Sequence, residues 1–271
     1  MKDLKNKIAL VTGAATGIGE ATSIAFAREG CDLVLATRKN AEGLKAAAEK
    51  IKAMGRKALT VMTDVSKRDD VEKLCQTALK EMGRVDILMN CAGVGLTCEL
   101  KDMSLEDWDW IMGVNFWGPV YTTHFLLPHM IKRKSGHIVN VSSGAGLIGL
   151  PANSAYTASK FGLVGLSEVM QTELERYGIG VTAVCPAVVR TNIFESTKVK
   201  GFKKDVTTPP PFMRMTPDRA AKLIVKAVKR NQALLVITAF AKITYNIKRL
   251  SPALARLVAR GMLKELLKKK E

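Results

Sequence analysis

Short, unbroken apolar runs, each separated from the next by a helix-like segment, constrain this chain more than any other feature. IALVT (8–12) is the first, and glycines follow it at once. DLVLAT (32–37), ALTVMT (58–63) and VDILMN (85–90) are the next three. HIVNVSS (137–143), GVTAVCP (180–186) and ALLVIT (233–238) bring the number to seven. A strand that is apolar at successive positions is covered on both faces, because a wet face would put a polar residue at every second position. The intervening segments are Ala/Lys/Glu-rich to about 54, then 67–82, about 104–133, about 153–177, and a helix opened by Thr216, Pro217 and Asp218 in cap and first-turn roles. Each can carry the chain back across a sheet, so the sheet is expected to be parallel. The fold expected is α/β: a Rossmann-like, doubly wound parallel sheet of about seven strands in a single domain, residues 1–238, with a helical C-terminal extension, 239–271.

Size and composition agree with one large domain. Of 271 residues, 47% are apolar and 25% charged, which is ordinary for a globular chain with a sizeable core. Nothing approaches the roughly 18 consecutive apolar residues that span a bilayer. MKDLKNK runs straight into the first strand with no cleavage-site pattern, so a cytoplasmic location is expected, with peripheral membrane association left open by the C-terminus. Five scattered cysteines without a CxxC, and three histidines without ligand spacing, argue against a disulfide framework and against a metal. The net charge of +17 is unevenly placed. Residues 1–197 hold 23 Lys+Arg against 21 Asp+Glu (+2), and residues 198–271 hold 19 against 4 (+15).

The turn after the first strand reads TGAATGIG, with Gly13, Gly17 and Gly19 between strand and helix. Glycines there let backbone N–H groups approach a pyrophosphate at the helix N-terminus, although a simple packing turn would use them too. The spacing is GxxxGxG and not the GxGxxG dinucleotide fingerprint. The second strand ends in Thr37, where an acid selecting NAD would stand, followed by Arg38 and Lys39. With no carboxylate to repel a 2′-phosphate and two cations beside it, NADP(H) is favoured over NAD(H). Farther on, SGAGLIGLPANSAYTASK (143–160) places Tyr156 and Lys160 at i and i+4, on one helix face. A neighbouring ammonium favours the phenolate, so the pair could move protons near neutral pH. Alone, the same pair is equally a half-buried Tyr beside a solvated Lys.

Together the glycine turn and the Ser–Tyr–Lys segment resemble the short-chain dehydrogenase/reductase family, over about residues 5–195. The resemblance implies hydride transfer between a nicotinamide and a carbonyl or alcohol carbon. It implies cofactor contacts from Gly13, Thr16, Gly17, Ile18 and Gly19, from Arg38, from Asp64 and Val65 after the third strand, and from Asn90, Ala92 and Gly93 of an NCAG motif similar to the family's NNAG. Pro186 and Thr191 match its PG…T stretch, with Ala187 where the family has glycine. The implied catalytic set is Asn115, Ser143, Tyr156 and Lys160: Tyr156 as general acid/base, Lys160 lowering its pKa and holding the nicotinamide ribose, Ser143 on the substrate oxygen, and Asn115 holding through its helix backbone a water that links Lys160 to solvent. Tyr156 and Lys160 therefore count as cofactor contacts as well. The family also implies a homodimer or homotetramer and a substrate loop at about 190–215, where Phe194, Phe202, Phe212 and Met213 hint at a hydrophobic ketone.

Past the last strand, Phe240, Ile243, Ile247 and Leu250 form one apolar helix stripe. Ser251-Pro252 restarts a second helix, in which Leu254, Leu257, Val258 and Met262 mark one side and Arg256, Arg260, Lys264 and Lys268 another. Two basic amphipathic helices read as an anionic membrane surface element, a partner-binding face, or helices packed on their own domain. Nucleic acid is disfavoured, since aromatics are not interleaved with the cations. Two other functions stay open: a membrane- or partner-binding protein on the same fold, and an acyl-thioester ketoreductase docking an acidic carrier.

Overall fold

A computed structural model describes residues 1–190, 196–203 and 215–270, apart from the side chains of Ala239 and Phe240. Strand β1 (Ile8–Thr12) leads through the glycine turn into helix α1 (Gly17–Arg28), and the pattern repeats as β2 (Asp32–Thr37), α2 (Ala41–Lys52), β3 (Ala58–Met62), α3 (Arg68–Met82) and β4 (Ile87–Asn90). After a two-residue strand β5 (Leu96–Thr97) come α4 (Leu105–Met112), α5 (Gly118–Arg133), β6 (Gly136–Val141), α6 (Ser154–Glu175) and β7 (Ile179–Pro186). Strand β8 (Lys198–Val199) pairs with β5, and α7 (Pro217–Lys229), β9 (Leu234–Ile237), α8 (Ala239–Leu250) and α9 (Pro252–Leu267) complete the described elements.

The main sheet has seven strands in the order β3-β2-β1-β4-β6-β7-β9, all parallel. Alternate side chains feed two cores, as the pleat requires. Ala9 and Val11 join Phe26, Ile51, Ile224 and Val228 on one face. Ile8 and Leu10 join Leu74, Leu126, Met130 and Leu174 on the other. The chain order reverses between β1 and β4, so both of these strands end at the same crevice. In open α/β sheets that crevice is where ligands bind.

Two sequence-level segments come out differently. The helix expected over 104–133 is interrupted at Gly113–Trp117 by a π turn, in which Gly118 N–H reaches back to Gly113 O. In the C-terminal region, α8 packs with Ala241 buried and Thr244, Tyr245, Ile247 and Lys248 half-buried, so of the apolar stripe read from the sequence Ile247 is partly seated. Ile243 and Leu250 of that stripe are 59% and 86% exposed. Phe240, the first of that stripe, has a side chain outside the described residues, as do Phe194, Phe212, Met213 and the body of the expected substrate loop.

A buried polar chain fastens the centre of the sheet to its helices. Asn90 Nδ2 donates to Asn140 Oδ1 at 2.9 Å across the β4–β6 pair. Thr122 of α5 donates to Asn90 Oδ1 (2.6 Å), and Asn140 Nδ2 donates to Ser167 Oγ of α6 (2.9 Å). Each amide is matched on both its donor and its acceptor side, so removing one member strands buried groups on two others. Asn140→Ala should therefore lower unfolding free energy by about 2–3 kcal/mol in urea titration. A loss below about 0.5 kcal/mol would show the chain to be dispensable.

Candidate active site

At the carboxyl ends of β1, β4 and β6 lies one cavity of about 850 Å³. Its floor begins with the first turn. Gly13 has φ of +67° and packs so closely on the β4 loop that a Cβ would lie 2.9 Å from Ala92 N. A Cβ on Gly19 would fall 2.2 Å from Gly13 O, so the opening turn of α1 folds back on the loop as only glycine permits. Thr12 Oγ1 locks the arrangement by accepting from Cys91 N (3.1 Å) and Ala92 N (3.2 Å). Thr16, Gly17 and Ile18 line the cavity, and the Thr16 side chain does not cap α1. The first N–H groups of that helix are thus left for an anion.

At the β2 and β3 ends, Arg38, Asp64 and Val65 reach the cavity. Arg38 Nη1 lies 3.4 Å from Asp64 Oδ2, and Asp64 Oδ1 accepts from Ser66 N and Oγ at 3.1 and 2.7 Å. Burial alone would raise the Asp64 pKa; the Ser66 hydrogen bonds, followed by Arg38, outweigh it and hold the carboxyl below its ordinary value. Thr63 Oγ1 is buried on this wall without a hydrogen-bond partner among the described residues.

Ser143, Tyr156 and Lys160 come together on the opposite wall with Gly93 and Pro186. Two straps set α6 against the end of β6: Lys160 Nζ donates to Val141 O (3.0 Å), and Ser142 Oγ donates to Lys160 O (2.8 Å). Ser143 Oγ accepts from Ala145 N (3.1 Å) and lines the cavity together with Tyr156. Burial pushes the Tyr156 phenol above its ordinary value, opposed by the neighbouring Ser143 hydroxyl. Burial also lowers the Lys160 ammonium to about 8. The expected lowering of the tyrosine by its lysine is thus reversed here: the ammonium sits 5.8 Å from the ring centroid, and desolvation of both groups dominates. Cys91, on the same wall, is pushed up to about 12 by burial, which makes it a poor nucleophile.

Asn115 and Asn90 are near the cavity but do not line it. Asn115 is fully buried in the π turn; its Oδ1 accepts from Val94 N and its Nδ2 donates to Val94 O, both at 2.9 Å. Nδ2 also reaches Ser159 Oγ (3.3 Å), which in turn donates to Tyr156 O (2.7 Å). The side chain therefore aligns the Ala92–Val94 loop with α6. Asn90, expected as a cofactor contact, spends its amide on Asn140 and Thr122 and is turned into the sheet. Thr191 lies outside the described residues.

One wall comes from a part of the chain to which the sequence attached no site. Met262, Leu266 and Lys269 line the cavity beside Leu150 and Pro151. The C-terminal segment is held there by Lys203 N–H donating to Lys269 O (3.0 Å) and by the Lys270–Glu99 ion pair at 2.9 Å. The one signal available was the row Ala255, Ala259, Met262, Leu266, spaced 4, 3, 4 along a face distinct from the basic stripe.

Known proteins resemble this chain over most of its length. A family model described as short chain dehydrogenase matches residues 7–200. An uncharacterised oxidoreductase of Listeria innocua is 34% identical over 235 residues, 86% of this chain and 94% of its own. The 3-oxoacyl-(acyl-carrier-protein) reductase FabG of Thermotoga maritima is 34% identical over 222 residues, 82% of this chain and 90% of its own. Among solved structures, a short chain dehydrogenase/reductase from Burkholderia phymatum in complex with NAD superposes with a TM-score of 0.85 at 28% identity, covering 94% of this chain and 96% of that one.

The lysine gives a pH-dependent signature. Between about 8 and its ordinary 10.5, the unfolded chain keeps a proton on Lys160 that the folded chain has released. Stability therefore rises with pH across that window and gains nothing from this group above it. The stability of the parent minus that of Lys160→Met should climb by about 2–3 kcal/mol from pH 8 to pH 10.5. A flat difference would contradict the desolvated lysine.

Proposed function

The chain belongs to the short-chain dehydrogenase family, and from that premise we propose that it is an NADP(H)-dependent oxidoreductase that interconverts a hydrophobic ketone and its secondary alcohol. The observation that carries this reading is the convergence of Ser143, Tyr156 and Lys160 on the same cavity as the uncapped start of α1. Residues present fit a dinucleotide: the glycine cradle and free N–H groups suit a pyrophosphate, and Thr63 Oγ1 and Asp64 offer polar partners at the adenine end. Bound there, the nicotinamide supplies the hydride, and the protein supplies everything else.

In reduction, Tyr156 gives its proton to the carbonyl oxygen. A phenol raised above its ordinary pKa stays protonated at neutral pH, as a general acid must. Ser143 steadies the same oxygen as negative charge develops. Lys160, buried yet fastened to Val141 O, holds a positive charge beside the tyrosine ring and would hold the cofactor's ribose. Asn115 is a positioning residue, since its side chain sets the Val94 loop and α6 in register. Thr37 and Arg38 at the cavity rim, with no acid at the β2 end, support the preference for a 2′-phosphate. Met262, Leu266, Leu150 and Pro151 make the substrate end apolar. Exposed Leu105, Trp117 and Val169 on α4, the π turn and α6 support a homodimer or homotetramer through these helices. A second substrate class is favoured by the kinship to acyl-carrier-protein reductases: a 3-oxoacyl thioester, whose chain would suit the same apolar wall.

Consumption of NADPH and NADH over a panel of ketones, steroids and acyl thioesters tests this. Tyr156→Phe should cut turnover about 10²–10⁴-fold while NADPH binding persists; activity within about tenfold of the parent would remove Tyr156 from the chemistry. Arg38→Glu should reverse the cofactor preference by raising KM for NADPH and sparing NADH. Faster parental turnover with NADH would refute the assignment of Arg38.

A further inference from the structure

The C-terminal helices seat part of their apolar surface on the domain and leave a second apolar set exposed. On α8 the seated face is Ala241, Thr244, Tyr245, Ile247 and Lys248: Tyr245 packs on the cluster of Leu147, Val164 and Cys185, and Lys248 Nζ donates to Leu147 O at 2.8 Å. That leaves Ile243 and Leu250 in water. On α9 the least exposed positions are Ala255, Ala259 and Leu266, none fully buried. Leu254, Leu257 and Val258 are 46%, 62% and 44% exposed. Leu250, Leu254, Leu257 and Val258 thus form a run of exposed aliphatic side chains through the Ser251 turn. A helix of sixteen residues that buries no residue fully gains little from the domain, and one this short is marginal alone. Its apolar side chains need another medium.

Charge identifies that medium. Beside the aliphatic run stand Lys242, Arg249, Arg256, Arg260, Lys264 and Lys268, all exposed. Over 239–270 nine Lys+Arg face one acid, Glu265, which lines the cavity. A second copy of this face would bring cations against cations. An acidic protein would answer the charge but would need an apolar groove for the leucines as well. An anionic bilayer satisfies both at once, with aliphatic side chains below the headgroups and Lys/Arg stems reaching the phosphates. We propose that α8 and α9 form a docking surface for an anionic lipid bilayer, with Leu254, Leu257 and Val258 as the inserting residues and Arg256, Arg260 and Lys264 as headgroup contacts. The assignment does not rest on the reductase reading. None of these six residues lines the cavity.

Flotation of the full chain with vesicles tests it, comparing phosphatidylcholine alone with phosphatidylcholine plus phosphatidylglycerol. Circular dichroism confirms that each variant is folded, and sedimentation velocity without lipid reports the association state. The parent should float with the anionic vesicles and stay behind with the neutral ones. Changing Arg256, Arg260 and Lys264 together to Gln should lower partitioning about a hundredfold, at about 1 kcal/mol per cation. Leu254→Asp with Leu257→Asp should abolish flotation while leaving sedimentation unchanged. A parent that stays behind with both vesicles overturns the proposal, as does equal flotation with both. So does a Leu→Asp variant that dissociates a parental oligomer, which would make the surface an interface between copies.

Discussion

The site depends on how the carboxyl end of β6 is held against α6. Two hydrogen bonds, Lys160 Nζ to Val141 O and Ser142 Oγ to Lys160 O, bind one lysine to this strand end through its head and its backbone. Because the strand end carries Ser143 and the helix carries Tyr156, this single junction sets the distance between them. The Asn90–Asn140 pair fixes β6 relative to β4, and Asn115 fixes the β4 loop relative to α6. Polar groups in the middle of an apolar sheet are a liability unless each is matched, and here the matching aligns three elements. The desolvation that depresses Lys160 is a consequence of the same close fit.

Much of this was legible in the chain. Strand count, parallel order and the crevice follow from apolar runs alternating with helices, because burial on both faces leaves few other solutions. Tyr156 and Lys160 could be paired from helical spacing alone, and Ser143 from resemblance. What periodicity could not supply was the direction of an amide side chain. Asn90 stands where a cofactor contact was expected, yet its amide serves the sheet, and the Asn115 amide serves the β4 loop while the role expected of that residue belongs to its backbone. The π turn at Gly113–Trp117 was also hidden, since a helix and a helix with one widened turn have the same apolar rhythm.

The C-terminal segment shows the opposite failure. Its apolar stripes are plain in the sequence, and the ordinary inference is that such a stripe packs inward. On α8 the structure seats Ala241, Tyr245 and, in part, Ile247, and leaves Ile243 and Leu250 outside. On α9 the seated side is Ala255, Ala259 and Leu266, and the segment closes over the cavity through Met262, Leu266 and the Lys270–Glu99 pair. One helix thus shapes the substrate end of the site and carries most of the basic, aliphatic surface. Residues 143–160 set the reaction, and the region after the last strand bears on what enters.

The central claim is that Tyr156 delivers a proton while a nicotinamide delivers hydride to the same carbonyl. Single-turnover reduction of a ketone with NADPH carrying deuterium on the transferring position of the ring, followed by mass and NMR analysis of the alcohol, measures this directly. The account predicts one deuterium on the carbinol carbon, delivered to one face, with the hydroxyl proton drawn from solvent. Carbinol hydrogen derived from water, or no reduction of any ketone in the panel, would contradict it.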